Sequence, residues 1–148
     1  MKRTCAWLLC AVWMGVIYLM SAMPGDVSGE QSGLIVDCLL GIIRFLFGAE
    51  AAAVISIDTI GLLVRKVAHM TEYAILFLLY RRALALSGAR HPGLAALAMS
   101  AGYAMTDEWH QSFVAGRGPS PVDVGIDTLG AAIAWGMHTV LIRLTKRV

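Results

Sequence analysis

The sequence predicts an all-α integral membrane bundle of about four transmembrane helices, with an interfacial helical segment after the first. Three observations predict it. Hydrophobic residues make up 58% of the 148 positions, charged residues only 15%, and mean hydropathy is +0.70. Four stretches approach the length needed to cross a bilayer. Threaded four times through a membrane, the chain places all ten of its acidic residues on one side.

A soluble domain of this length has too little interior to hide so much apolar surface. The net charge of +2, without a concentrated basic face, excludes a nucleic-acid partner. Cys5, Cys10 and Cys38 are an odd set without metal-like spacing, so they read as small apolar side chains and not as a disulfide framework. The 15 glycines suit helices that approach closely within lipid.

The first span, 5–23, holds no charge, and at ~1.5 Å per residue it covers about 28 Å, a hydrocarbon core's thickness. It reads as a retained span and not a cleaved signal peptide, because the apolar run is long and Pro24 follows Ser21, Ala22 and Met23. Residues 24–65 form the outer interfacial segment. Their two apolar patches, 34–47 and 51–64, are interrupted by charge and read as helices lying on the outer surface or as short additional spans. Further spans are expected at about 67–86, 94–113 and 122–144. Gly88, His91 and Pro92 mark the turn between the second and third, and Gly116, Arg117, Gly118 and Pro119 the next. Ser120, Pro121 and Asp123 then read as a helix start, with a capping hydroxyl, a proline at the first position and a carboxylate reaching back.

Lysine and arginine are enriched in cytoplasmic loops. Lys2, Arg3, Arg81, Arg82, Arg90, Arg143, Lys146 and Arg147 share one side, which is therefore the cytoplasm, and both termini lie there. Arg44, Arg65, Lys66 and Arg117 join the acids outside. Glu72, Asp107 and Asp127 each lie six residues inside the outer end of a different span, roughly 9 Å deep at ~1.5 Å per residue. Each such group costs about 2.5 to 3.5 kcal/mol at the middle of a membrane helix on insertion scales. Helical spacing groups Lys66, His69 and Tyr73 on the second span, with Glu72 beside them, Asp107, His110 and Gln111 on the third, with Glu108 next to Asp107 in sequence, and Asp123 with Asp127 on the fourth. With Arg117, these residues are expected to enclose one water-accessible polar site open to the outside.

These residues resemble the VanZ-like family of bacterial membrane proteins. The resemblance rests on Lys66, His69, Glu72 and Tyr73; on Asp107, Glu108, Gln111, Phe113, Gly116 and Arg117; on Ser120, Asp123, Asp127 and Gly130; and on Ser21 with Pro24. The stretch 25–64 carries no motif of the family. The resemblance implies a small multi-pass protein of the bacterial cytoplasmic membrane. Some relatives are associated with lowered susceptibility to glycopeptide antibiotics, teicoplanin in particular.

Charge balance shapes the functional reading. Glu72, Asp107, Glu108, Asp123 and Asp127 face only Lys66 and Arg117 as permanent cations, so three negative charges call for protons, for cationic His69 and His110, or for a metal or amine-bearing ligand. The preferred reading is a site that binds, without turnover, an envelope glycolipid or lipid-linked cell-wall precursor, an antibiotic, or a partner membrane protein. A membrane enzyme is the alternative. In it His69 or Glu72 would serve as base, Asp107 and Glu108 would be further catalytic candidates, and Lys66 or Arg117 would hold a phosphate. A divalent metal in such an enzyme would recruit His69, Glu72, Asp107 and Asp123, a mixed nitrogen and oxygen set. No nucleophile elbow, zinc-protease motif or phosphate loop is present in the sequence. A third reading is a purely structural charge network, with Arg117 pairing Asp123 or Glu108 and Lys66 pairing Glu72 to fix helix register. Trp7, Trp13, Tyr18 and Trp109 read as interfacial anchors or packing, and Gly130, Ala134 and Gly136 as points of close helix contact.

Overall fold

The computed structural model describes the backbone of residues 2–54, 56–118 and 120–146, and the side chains of all of these save 26–32, 51 and 52. Arg147 and Pro119, which the sequence reading assigned to the inner face and to an outer turn, lie outside the described residues. Every described element is helical: α1 (Arg3–Ser21), α2 (Gly25–Phe47), the single turn α3 (Ala49–Ala53), α4 (Ile57–Leu86), α5 (Pro92–Gln111) and α6 (Pro121–Thr145). The all-α expectation holds. Of these helices, α1 and α6 are long and apolar enough to cross a membrane; α4 and α5 are long but carry the ionisable residues that lower their hydropathy.

The central helix is α4, which packs against α1, α2, α5 and α6. Its buried face repeats at helical spacing through Tyr73, Leu76, Phe77, Tyr80 and Ala83. Its neighbours meet those large side chains with small ones, notably Ala96, Ser100 and Ala104 on α5 and Gly130, Ala131 and Ala134 on α6. Gly130 is the closest approach: a Cβ there would stand 2.2 Å from the Met70 carbonyl oxygen. Gly136, expected to permit a similar contact, has open space around it.

Polar contacts fix α1 to this core. The Trp13 indole donates to the Glu72 carbonyl at 3.0 Å, the Tyr103 hydroxyl to the Met14 carbonyl at 2.7 Å, and the Trp7 indole to the Ser87 hydroxyl at 3.1 Å. Trp7 and Trp13 therefore bind helix to helix as well as packing. The outward surface is the apolar one: Leu8, Val67, Leu94 and Met137 are among many large hydrophobic side chains at least half exposed.

The largest difference from expectation is the start of α4. The patch 51–64 does not form its own surface helix, because residues 57–64 begin a continuous 30-residue α4. Ser56 caps it by accepting from the Thr59 amide at 3.4 Å. At ~1.5 Å per residue α4 runs about 45 Å, well beyond a hydrocarbon core. The other patch, 34–47, lies within α2, where Asp37 and Arg44 are both exposed. Gly88 ends α4 with φ +79°; its amide donates to the Ala85 carbonyl and that of Ala89 to the Leu84 carbonyl, the paired bonds of a Schellman stop.

Gly130→Ala is expected to force α4 and α6 apart, destabilising the protein by about 1–3 kcal/mol as overpacking does. Gly136→Ala should leave thermal unfolding in detergent unchanged or slightly improved. Equal melting of the two variants would show that the α4–α6 contact is looser than described.

Candidate functional site

The helix ends nearest the α5–α6 turn enclose a cavity of about 240 Å³. Arg65, Lys66 and His69 of α4, Glu108 and Gln111 of α5, Asp123 and Asp127 of α6, and Arg117 of the turn contribute to its lining. Helical rotation explains the α4 set, since residues three and four apart share a face.

The innermost group comes from three helices. His69, Asp107 and Asp127 each offer one ligand atom, and these atoms lie within 4.8 Å of one another. His69 Nδ1 is 3.9 Å from Asp127 Oδ1 and 3.8 Å from Glu72 Oε2. Asp107 and Asp127 are 4% and 3% exposed. Asp107 Oδ2 accepts from the Ser21 hydroxyl at 2.9 Å and the Gln111 amide at 3.1 Å. Its Oδ1, Asp127 Oδ1 and Glu72 Oε2 are buried without a hydrogen-bond partner among the described residues.

The outer layer pairs differently from the structural network expected from sequence. Lys66 binds Asp123, not Glu72. Six helical residues turn a side chain through about 240°, which carries Glu72 away from Lys66. Arg117 binds neither Asp123 nor Glu108: its guanidinium donates to the Gln111 side-chain oxygen at 3.3 Å and to the carbonyls of Met23 at 3.2 Å and Met20 at 3.4 Å. It thereby fastens the turn to the end of α1. Burial pushes the guanidinium below its ordinary value, and Asp107 opposes that shift. Glu108 accepts from the Ser120 backbone amide. Ser120 caps α6 through the Val122 amide at 3.2 Å, but the returning carboxylate is that of Glu108 and not Asp123.

Most of the sequence-predicted site residues gather here. Tyr73 instead points into the core, fully buried, with its ring 6.3 Å from that of Tyr103. His110 turns to α1 and stacks on Tyr18 at 4.4 Å. Among the metal candidates, Asp123 is engaged by Lys66, and Asp127 stands with His69 and Asp107 in its place. Two polar side chains join the site beyond those expected from sequence: Arg65, next to Lys66 in the lining, and Ser21, a residue of the family resemblance, whose hydroxyl holds Asp107. At the opposite end of the bundle, Arg81, Arg90, His91, His138, Arg143 and Lys146 line a separate hollow.

A family model described as VanZ/LLP1 matches residues 6–143. The chain belongs to that family. The match bears out the resemblance drawn from the motif residues and runs through 25–64, where the sequence shows no motif. No curated protein and no solved structure matches the chain significantly. In this VanZ/LLP1 protein, therefore, the residues that carry the family resemblance include those that build the cavity and its inner acid and imidazole group.

Replacing Arg117 with alanine removes three charge-assisted contacts between the turn and the bundle and should destabilise the protein by about 1.5–3 kcal/mol. Lysine should recover only part of this, because its three donors sit on one nitrogen and cannot span acceptors that now meet Nε, Nη1 and Nη2 of the guanidinium. Limited proteolysis of residues 112–120 reads the effect; unchanged cleavage in the alanine variant would contradict the clamp.

Proposed function

We propose that this VanZ/LLP1 protein crosses the bacterial cytoplasmic membrane four times, as α1, α4, α5 and α6, with both termini in the cytoplasm. Its cavity opens toward the outer face and binds the phosphate-bearing headgroup of an envelope lipid, such as a lipid-linked cell-wall precursor. The carrying observation is the lining itself: Arg65, Lys66 and Arg117 stand around one cavity at one end of an otherwise apolar-surfaced bundle. Arginine and lysine are the side chains that bind phosphate, arginine through its planar fork and lysine as a point charge. Apolar side chains around such a cavity suit a ligand whose remainder stays in lipid.

The gathering of Arg81, Arg90, Arg143 and Lys146 at the other end supports a cytoplasmic assignment for that end by the positive-inside rule. An envelope-lipid ligand also agrees with the glycopeptide association that the family resemblance implies. A second reading, a membrane enzyme acting on the same lipid class, is favoured by one observation: His69 Nδ1 faces the carboxylates of Glu72 and Asp127, an arrangement suited to general acid and base work.

Topology is tested in a cysteine-free background. Ile126→Cys, in the cavity lining, should react with an impermeant maleimide added outside intact cells, and Arg90→Cys only after permeabilisation. Reaction of both from the outside, or of neither, contradicts the four-span arrangement.

Ligand binding is tested by titrating purified protein in detergent with polyprenyl-linked cell-wall precursors and with phosphatidylglycerol. Saturable binding is expected, weakened about tenfold or more in Lys66→Ala and Arg65→Ala, since a hydrogen bond to a charged group contributes about 1.5–3 kcal/mol. Arg90→Ala should bind as the parent does. Absence of saturable binding to either lipid refutes the headgroup reading, and product formation that requires His69 selects the enzyme.

A further inference from the structure

We infer that His69, Asp107 and Asp127, with Glu72 beside them, form a binding site for one divalent first-row transition-metal cation at the inner end of the cavity. The inference does not depend on the lipid reading: the metal site stands or falls on these four side chains, whatever occupies the space above them.

Geometry is the first support. Donor atoms about 2.1 Å from a common metal lie roughly 3.4 Å apart at tetrahedral angles. The three donors here already lie within 4.8 Å of one another, so modest rotation of the carboxylates closes them around an ion. Glu72 Oε2, 3.8 Å from His69 Nδ1, is in reach as a fourth donor. Each helix supplies part of the set, α4 with His69 and Glu72, α5 with Asp107 and α6 with Asp127, so the ion would join the three helices.

The second support is the unmet polar demand. Asp127 is 3% exposed, and its Oδ1 faces His69 without a hydrogen-bond donor among the described residues. Glu72 Oε2 and Asp107 Oδ1 are in the same condition. Among the described residues no lysine or arginine makes an ion pair with these three carboxylates: Lys66 meets Asp123, Arg117 donates to Gln111 and two carbonyls, and Arg65 lines the cavity without pairing with them. Buried carboxylates without a counter-charge or donors are strongly disfavoured, and a divalent ion satisfies several at once.

The third support is how Asp107 is held. Ser21 and Gln111 both donate to Oδ2, which turns Oδ1 away from them. A ligating carboxylate is commonly oriented in this manner, by hydrogen bonds that fix the group without occupying the oxygen used for the metal. The donor set selects the ion class. One imidazole with two or three carboxylates suits Mn²⁺, Fe²⁺ or Zn²⁺, whereas an all-oxygen cage would suit Ca²⁺ or Mg²⁺.

The experiment uses the full chain purified in detergent, stripped with chelator and titrated separately with Zn²⁺ and Mn²⁺. The expected result is one equivalent of metal retained per chain by elemental analysis, with a raised melting temperature. Pulsed electron paramagnetic resonance of the Mn²⁺ form should show coupling to one imidazole nitrogen, lost in His69→Gln. Asp127→Asn should reduce affinity at least tenfold for both ions. Failure of the unaltered protein to retain either ion overturns the inference without recourse to any variant. So does bound Mn²⁺ without nitrogen coupling, or coupling that persists in His69→Gln. Should Asp127→Asn not fold, the parent protein's stoichiometry and nitrogen coupling still decide the question.

Discussion

The structure is organised around the need to accommodate acidic side chains at one end of a small helical bundle whose remaining interior is largely apolar. Asp107 and Asp127 are almost fully enclosed, and Glu72 is partly buried, its side chain 19% exposed. Burying a carboxylate is expensive unless charge or hydrogen bonds replace the water it loses. The helices therefore arrive with donors in tow. Ser21 comes from the end of α1 and Gln111 from the next turn of α5, both directed at one oxygen of Asp107. Around this inner group stands a second layer, in which Lys66 meets Asp123 and Arg117 ties the α5–α6 turn to α1. The apolar core below uses the simpler device of large side chains on α4 against small ones on α5 and α6.

Much of this was legible in the sequence because two signals agreed. Uncharged runs and turn residues located α1, α5 and α6 to within a few residues of their observed ends. Equal depth of Glu72, Asp107 and Asp127 below three helix ends then pointed to their meeting. Helix α4 escaped because hydropathy and helicity are different properties. Asp58, Arg65 and Lys66 interrupt an apolar run, but none breaks a helix, and Ser56 starts one ten residues before the expected span.

Pairing was less legible than proximity. Lys66 stands nearer to Glu72 in sequence than to Asp123, yet rotation about α4 separates the first pair and the packing of α4 on α6 joins the second. The roles of Ser21 and Glu108 depend on which oxygen or amide an adjacent helix presents, and no single-helix periodicity carries that information. His110 shares an apparent face with Asp107, but an aromatic neighbour on α1 claims it. Sequence spacing thus identified the chemical inventory, while contacts between helices decided its assignment.

The way α6 begins has a consequence for assembly. A helix whose own third residue closes its capping box can start by itself. Here Ser120 covers one amide, but its own amide is taken by a carboxylate from α5. The last helix is therefore completed only when its predecessor is already alongside. Until α5 and α6 have met, the Ser120 amide and the Glu108 carboxylate lack the partner that each finds in the other.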